Sequence, residues 1–378
     1  MTDDRAPRRG KVDRDAFESV VRPNLGAVRD DVRLGPTHGV DFGVVDVADR
    51  AVVCATDPIS LLPGLGYERA GRFALSFALG DVAVSGVAPT HFCPSFALPS
   101  DVGDDDFEAF WAAVAAECEA LGVAIPTGHT ARYPGASLPW VGAATVLGVG
   151  DPDDVIRPDG ARPGDRLLVT KGPGIETAGL FASLYPDTLA DLGLDEATID
   201  AAAALLDETS VVRDALAAAE AGRDGAGDAS ADDDAGGDGT DAAASSTDAA
   251  AAATDAGVTA MHDATEGGLR GALCETAEAG GVRIDVDSAA VPTNAAAVAT
   301  CEALDLDPWT CTTSGTLLLA VDPAAVDRVV AALESRATPV GVVGDVWEGS
   351  GVFVDGERVE SPAEDASWAA YERLSESD

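Results

Sequence analysis

The chain has 378 residues, 46% of them hydrophobic, and sets 66 acidic against 24 basic side chains for a formal net charge of -42. That length suits two ordinary domains with sizeable cores, while the charge excludes phosphate-backbone binding, which needs clustered Lys and Arg. So dense a carboxylate surface repels itself in dilute salt and is relieved where the screening length falls to about 3 Å near 1 M, which points to a salty, halophilic cytoplasm.

The opening MTDDRAPRRGKVDRD has no apolar core of a signal peptide, and no apolar run in the chain reaches the roughly 18 residues of a membrane span. A soluble, reduced, cytoplasmic protein is the expectation, with no membrane partner. The basic cluster Arg5, Arg8, Arg9 and Lys11 reads as a solvated tail. Only two of the 24 basic residues are lysines, Lys11 and Lys171, and both adjoin glycines. An ammonium is a compact charge suited to phosphate oxygens, so both are candidates for that role, with leftover surface lysines as the plainer alternative.

Two apolar runs, 42–48 and 51–57, flank a polar Asp49-Arg50 turn and predict a strand pair. A helix over 67–86 is apolar all round and should be buried. The segment 104–121 is the clearest amphipathic helix: Phe107, Phe110, Trp111, Val114, Cys118 and Leu121 share one face, and Asp104 to Asp106 suit its positive end. The run 140–150 predicts a buried strand. The Pro-, Gly- and Asp-rich stretch 151–165 predicts a boundary between a first domain, 1–155, and a second, 156–378.

The second half opens with a strand at 166–170, a helix from about 176 and a long helix over 199–221. From 222 to 257 the chain is almost entirely Gly, Ala, Asp, Ser and Thr, with no Leu, Ile, Val, Phe or Met. It cannot offset its chain entropy by burial and is expected to be a disordered acidic insertion within a loop. A helix over 267–279 follows, then strands at 282–287, 316–322, 339–346 and 352–356. Mixed elements in both halves predict an α/β or α+β architecture. Six cysteines form no C-x-x-C pair and read as small buried hydrophobes.

Several glycine loops carry acid, His or Lys: GPTHGVDFG with Asp41, CATDP with Asp57, ALGDVAVSGVAP with Asp81, PTGHT with His129, TKGPG with Lys171, Gly172 and Gly174, and MHDATEGG with Asp263. Singly, an Asp after a strand is usually a turn or cap, and Asp57-Pro58 is a common turn starter. Asp81 is different, because a carboxylate in an apolar helix is costly unless paired or bound to a cation; a hydrogen bond to a helix end is the alternative. TKGPG is either a mere turn or a strand-to-helix loop offering N–H groups and a cation to phosphate. A histidine metal site is conceivable, though no ligand spacing supports it. Together, Asp41, Asp57 and Asp81 form a set that could converge on hard cations such as Mg2+.

The order GVDFGVVD, CATD, LGDVAVSGVAP, TGHT, HDATEGG resembles the AIR synthase/HypE superfamily from about Lys11 to Val346, with ECEALGVAIPTGHT and CEALDLDPWTCTTSGTLLLAVDP most like HypE-type sequences. The resemblance implies an N-terminal PurM-like α/β domain whose strands form a barrel across a homodimer, and a C-terminal α/β sandwich. It implies ATP in a cleft between domains, Asp41, Asp57 and Asp81 holding magnesium on its phosphates, and Lys11 with the Lys171, Gly172, Gly174 loop as phosphate contacts. His129 or Asp263 would approach the acceptor, a small-molecule or protein-borne oxygen that phosphoryl transfer turns into a leaving group. A non-catalytic nucleotide-binding factor that docks a maturation protein is the alternative. The sequence departs from the family pattern at Phe42, Gly80, Thr127 and Ser314, and it ends in YERLSESD where HypE-type members carry a cysteine.

Overall fold

The computed structural model describes residues 10–12, 14–224 and 257–375. It contains two sheets, one of six strands and one of seven. The first comprises β1 (Val32–Leu34), β2 (Gly43–Val47), β3 (Arg50–Ser60), β4 (Pro89–Leu98), β5 (His129–Arg132) and β6 (Trp140–Gly150), in the order β1-β2-β3-β6-β4-β5. Val47 pairs with Arg50, so the β2–β3 turn is Ala48-Asp49, one residue earlier than expected. Ala48 takes the positive φ of 55° that such a two-residue hairpin turn requires.

The expected turn at Asp57-Pro58 is not one. β3 runs through both residues, and Asp57 pairs with Ala144 of β6. Pro58 is tolerated because the ladder shifts register just beyond it, between Ile59 and Ser60. The helices Tyr67–Ala83 and Asp104–Leu121 cover one face of this sheet. Val53, Leu75, Leu79, Phe92, Phe96, Phe110 and Val146 form the core between them. Phe96 meets Phe107, Phe110 and Trp111 edge-on, at centroid distances of 5.6, 5.9 and 6.0 Å. Within one chain the sheet is open, with β1 and β5 at its edges.

The second sheet comprises β7 (Arg166–Thr170), β8 (Val258–Ala264), β9 (Arg283–Val286), β10 (Thr316–Val321), β11 (Val340–Trp347), β12 (Gly351–Val354) and β13 (Glu357–Val359), ordered β13-β12-β9-β11-β7-β10-β8. The strand β10, paired on both sides by β7 and β8, is buried throughout, as its unbroken TLLLAV requires when both faces are covered. Leu318 and Ala320 face the helix Gly268–Gly280, while Leu317 and Leu319 join the core that contains the first sheet. The two halves therefore share apolar packing across the 151–165 connection.

The helix expected over 199–221 is broken. Glu196–Ala204 passes through a 3-10 turn, Leu205–Glu208, before Val212–Arg223 resumes. Asp207, Thr209 and Ser210 are weak helix formers, and the carbonyls of Glu208 and Ser210 are taken up elsewhere, as described below. The expected insertion, apart from 222–224 and 257, lies outside the described residues. Among the described residues, no helix is long and apolar enough to cross a membrane.

Candidate functional site

Five separate segments bring acidic groups to one place. Asp41 ends the loop before β2, Asp57 lies within β3, and Asp81 occupies the last turn of the helix Tyr67–Ala83. His262 and Asp263 come from β8, and Glu275 from the helix behind it. One donor atom each from Asp41, His262 and Asp263 lie within 4.8 Å of one another. Asp57 and Asp81 lie outside that close group but within the electrostatic reach of Asp41 and Asp263, so the three aspartates singled out in the first half share one neighbourhood with Asp263 of the second.

His262 is the hinge of the cluster. Its Nε2 is 2.8 Å from Glu275 Oε2, and its Nδ1 is 2.8 Å from Asp41 Oδ2 and 3.9 Å from Asp263 Oδ1. Burial alone would strip its proton, but Asp41, Asp263 and Glu275 outweigh burial and hold its pKa well above the usual imidazole value. Burial likewise opposes ionisation of Asp41 and Glu275, yet His262 and Lys11 hold both below their ordinary range.

The remaining carboxylates are under-compensated. Burial, with repulsion from Asp263, Asp41 and Glu266, pushes Asp57 up to about 7 against the partial relief given by Lys11. Burial and then Asp263, Asp57 and Asp41 push Asp81 well above its ordinary value, and burial raises Asp263 as well. Asp263 Oδ1 is buried without a hydrogen-bond partner, and His262 Nδ1 lacks an aligned one. Buried oxygens crowded this closely, with one unpartnered, fit a divalent cation, which prefers such oxygen donors and cancels their charge.

Lys11 faces this cluster. Its Nζ is 4.0 Å from Asp41 Oδ1. Desolvation lowers its pKa, but Glu275, Asp41, Asp81 and Asp263 together outweigh that and raise it above the ordinary lysine value. The departure at Gly80 also has a steric reason. A Cβ there would lie 3.1 Å from Val211 Cγ2 and 3.2 Å from Asp263 Oδ2, so these side chains fill the space an asparagine would need.

The second lysine loop is committed elsewhere, which corrects the expectation for Lys171, Gly172 and Gly174. Lys171 Nζ donates to the carbonyls of Glu208 (2.9 Å) and Ser210 (3.2 Å), both freed by the helix break, and lies 3.1 Å from Asp214. Three protons meet three acceptors, leaving none for a phosphate. Gly172 packs on the Pro292 carbonyl and Gly174 on Pro308 and Cys301. The N–H groups of Ile175 and Thr177 at the following helix start are taken by Thr313 Oγ1 and the Thr312 carbonyl.

His129 does not join the cluster either. It sits on β5, three strands from Asp57 along the Asp57–Ala144–Pro94 register, or about 14 Å at ordinary strand spacing. Its ring is exposed and its Nε2 is 2.9 Å from the Tyr133 hydroxyl. Sequence reasoning missed His262, Glu266 and Glu275 as members of the site. His262 and Glu266 lie in MHDATEGG beside Asp263, with no ligand spacing to mark them. Glu275 had no local signal, because only the fold brings its helix behind β8.

A cavity of about 240 Å³, lined in part by Arg69, Arg72, Ser76, Glu117, Asp207 and Arg213, shares none of the cluster's residues. Its arginines pair with Asp207, Glu68 and Glu117.

Comparison with known proteins matches residues 39–149 to the N-terminal domain, and residues 242–356 to the C-terminal domain, described as AIR synthase related protein. Carbamoyl dehydratase HypE of Escherichia coli is 28% identical over 349 residues, covering 90% of this chain and 87% of that one. A crystal structure of the hydrogenase maturation protein HypE in complex with ATP has a TM-score of 0.62 at 20% identity, over 95% of this chain and 97% of that one. A HypE–HypF complex structure gives 0.62 at 15% identity, over 84% of this chain and 93% of that one. At these identities the two structures show a shared fold.

Proposed function

The chain belongs to the AIR synthase related family, and from that premise we propose that it is an enzyme that uses ATP with a divalent cation to activate an amide- or carbonyl-type oxygen by phosphoryl transfer. The observation that carries this reading is the charge deficit of the Asp41–Asp57–Asp81–Asp263 cluster, which pushes Asp57 up to about 7 and leaves Asp263 Oδ1 unpartnered. A magnesium ion held by Asp41, Asp57 and Asp81 would neutralise the triphosphate and polarise its terminal phosphorus.

The chain's own groups supply the positioning. His262, gripped between Asp41 and Glu275, fixes the Asp41 carboxylate, while Lys11 supplies a cation at the open side for phosphate oxygens. The acceptor oxygen attacks the γ-phosphorus, the bond to the ADP oxygen breaks, and the acceptor then carries a phosphate that can leave. Asp263, with its raised pKa and free oxygen, is placed to exchange a proton with the acceptor. For an amide, loss of that phosphate and the amide protons amounts to removal of water. This is the chemistry the name carbamoyl dehydratase describes in the Escherichia coli relative.

A second copy of the chain fits the outer face of the first sheet. Val45, Val52 and Val149 form one cross-strand row there and Cys54 with Leu147 the next, and Val47 and Val149 are 54% and 37% exposed. The alternative reading, a nucleotide-binding factor that docks a maturation protein, draws on the HypE–HypF assembly.

Incubation with γ-labelled ATP, Mg2+ and high salt tests the proposal. The expected result is cation-dependent transfer of label to an acceptor or to water, lost in Asp57→Asn. Nucleotide binding without turnover on any acceptor would favour the docking factor. No nucleotide binding by the wild-type protein would end both.

A further inference from the structure

Glu266 stands where three distant parts of the chain meet. Its Oε1 accepts the indole N–H of Trp368 at 2.9 Å, and its Oε2 accepts the backbone N–H of Lys11 at 3.1 Å. The first bond reaches the C-terminal helix Ala366–Ser375, and the second reaches the N-terminal segment. Gly10 passes directly under the carboxylate in a left-handed conformation, φ 82°. A Cβ at that position would fall within the Glu266 carboxylate, so no other residue fits there without displacing it. The loop is also held from its other side. Asp365 Oδ2 accepts the Gly267 N–H at 2.7 Å, while its Oδ1 accepts the Ser367 N–H at 2.8 Å. The Trp368 ring in turn lies 6.4 Å from that of Trp140, at the start of β6 in the first sheet.

Lys11 is the side chain this arrangement aims. Its backbone N–H is fixed by Glu266, and its ammonium lies 4.0 Å from Asp41, over the cluster. Among the described residues Lys11 has one close ionic neighbour, Asp41, and its side chain is 52% exposed.

We propose that Glu266 and Trp368 form a clasp whose role is to position Lys11 over the acidic cluster, making both of them positioning residues for the phosphate-binding cation. The role assigned to Lys11 rests on the proposed function; the clasp itself does not. A long lysine side chain loses rotamer freedom when it is held for a ligand, so fixing its backbone beforehand lowers the entropy lost on binding. The indole contributes a hydrogen bond to a carboxylate, the stronger class of such bonds, from a helix that is independently anchored by Asp365.

The near-absence of lysine makes the clasp directly measurable. Lys171 is buried with its protons occupied, so an amine-reactive acylating reagent followed by peptide mapping reads Lys11 separately from the N-terminal amine. In the wild-type protein Lys11 should react slowly, because the clasp holds its segment against the cluster. Trp368→Phe retains the ring and removes the donor; Glu266→Gln keeps the shape and weakens the acceptor. Each should speed Lys11 acylation by about tenfold, the scale of losing one hydrogen bond to a charged group. Trp347→Phe, at an exposed tryptophan elsewhere, should leave the rate unchanged. Rates in Trp368→Phe and Glu266→Gln equal to that of Trp347→Phe would overturn the clasp.

A second arm measures the affinity for Mg2+ with a non-hydrolysable ATP analogue. Lys11→Met and Trp368→Phe should each weaken it by about tenfold, and the double variant by little more than either alone, since one acts through the other. Fully additive losses would overturn the positioning role. If the wild-type protein binds no analogue, the proposed function fails and the acylation rates alone decide whether the clasp exists.

Discussion

Two ionic sites, each holding one of the chain's two lysines, differ in their balance of charge. At Lys171 every proton has a partner, and Asp214 also receives Arg336 at 2.8 Å and Thr338 at 2.9 Å. Burial opposes the Asp214 charge, but Lys171, Arg336 and Thr338 overcome it and hold its pKa below the ordinary value. At the other site Lys11, its side chain half exposed, and one imidazole face Asp41, Asp57, Asp81, Asp263 and Glu275, and three of those carboxyls are pushed up. Both sites contain buried charge, so burial does not separate them. The separation is balance: the first is complete and holds the fold, whereas the second is deficient in positive charge and is shaped for something that brings it.

The largest test sets one substitution at each site against the other. Asp81→Asn should cut cation-dependent turnover by at least about 100-fold, the scale of losing a group that holds transition-state charge. It should leave the cation-free melting temperature unchanged or higher, because it removes a repelling carboxyl. Lys171→Met should do the reverse, costing about 3–5 kcal/mol of stability by stranding Asp214, with the KM for ATP of the folded protein unaltered. Equal destabilisation by both substitutions in thermal melts would erase the distinction.

The pH dependence sharpens it. In the folded state Asp57 titrates at about 7 against an ordinary 3.8, so the native protein holds a proton that the unfolded chain has released. The contribution of Asp57 to cation-free stability therefore falls as pH rises through the window of about 4 to 7. Asp214, with its lowered pKa, contributes stability above its unfolded value that is lost as pH falls through its folded one. Added Mg2+ should raise the melting temperature most above pH 7, where Asp57 is ionised, and Asp57→Asn should flatten both trends. A Mg2+ effect independent of pH would count against Asp57 as a ligand. The smallest effect belongs to His129: on its distant strand, His129→Ala should change kcat by less than about threefold, within the range of surface substitutions.

Much of this was legible in the residues. The helix Asp104–Leu121 and the strands Trp140–Gly150 and Arg166–Thr170 fall at the expected positions, because amphipathic spacing and unbroken apolar runs are local signals. β4 had no local strand signal, since Pro89 and Pro94 interrupt the pattern and its pairing is supplied by β6. The break at 205–211 was hidden by the Ala- and Leu-rich run on its N-terminal side. The convergence of Asp41, Asp57 and Asp81 followed from the recognised order of loops. The Lys171 loop misled because a lysine between glycines looks the same whether its ammonium meets a phosphate or the carbonyls of a broken helix. His262 with Glu275 could be paired only by folding, since one is on a strand and the other on a helix behind it.

Gly222 and Gly257 have one further consequence. Their backbones touch, with the Gly222 carbonyl oxygen 3.3 Å from where a Gly257 Cβ would stand, so the chain departs and returns at one point. Residues 10 and 368, near the opposite extremes of the sequence, are also brought together, by Glu266. Topologically the polypeptide is close to a ring with two seams. A circular permutant, joined across the Glu266 seam by a short linker and opened between 224 and 257, should keep the same native contacts, and the new ends would lie away from the acidic cluster.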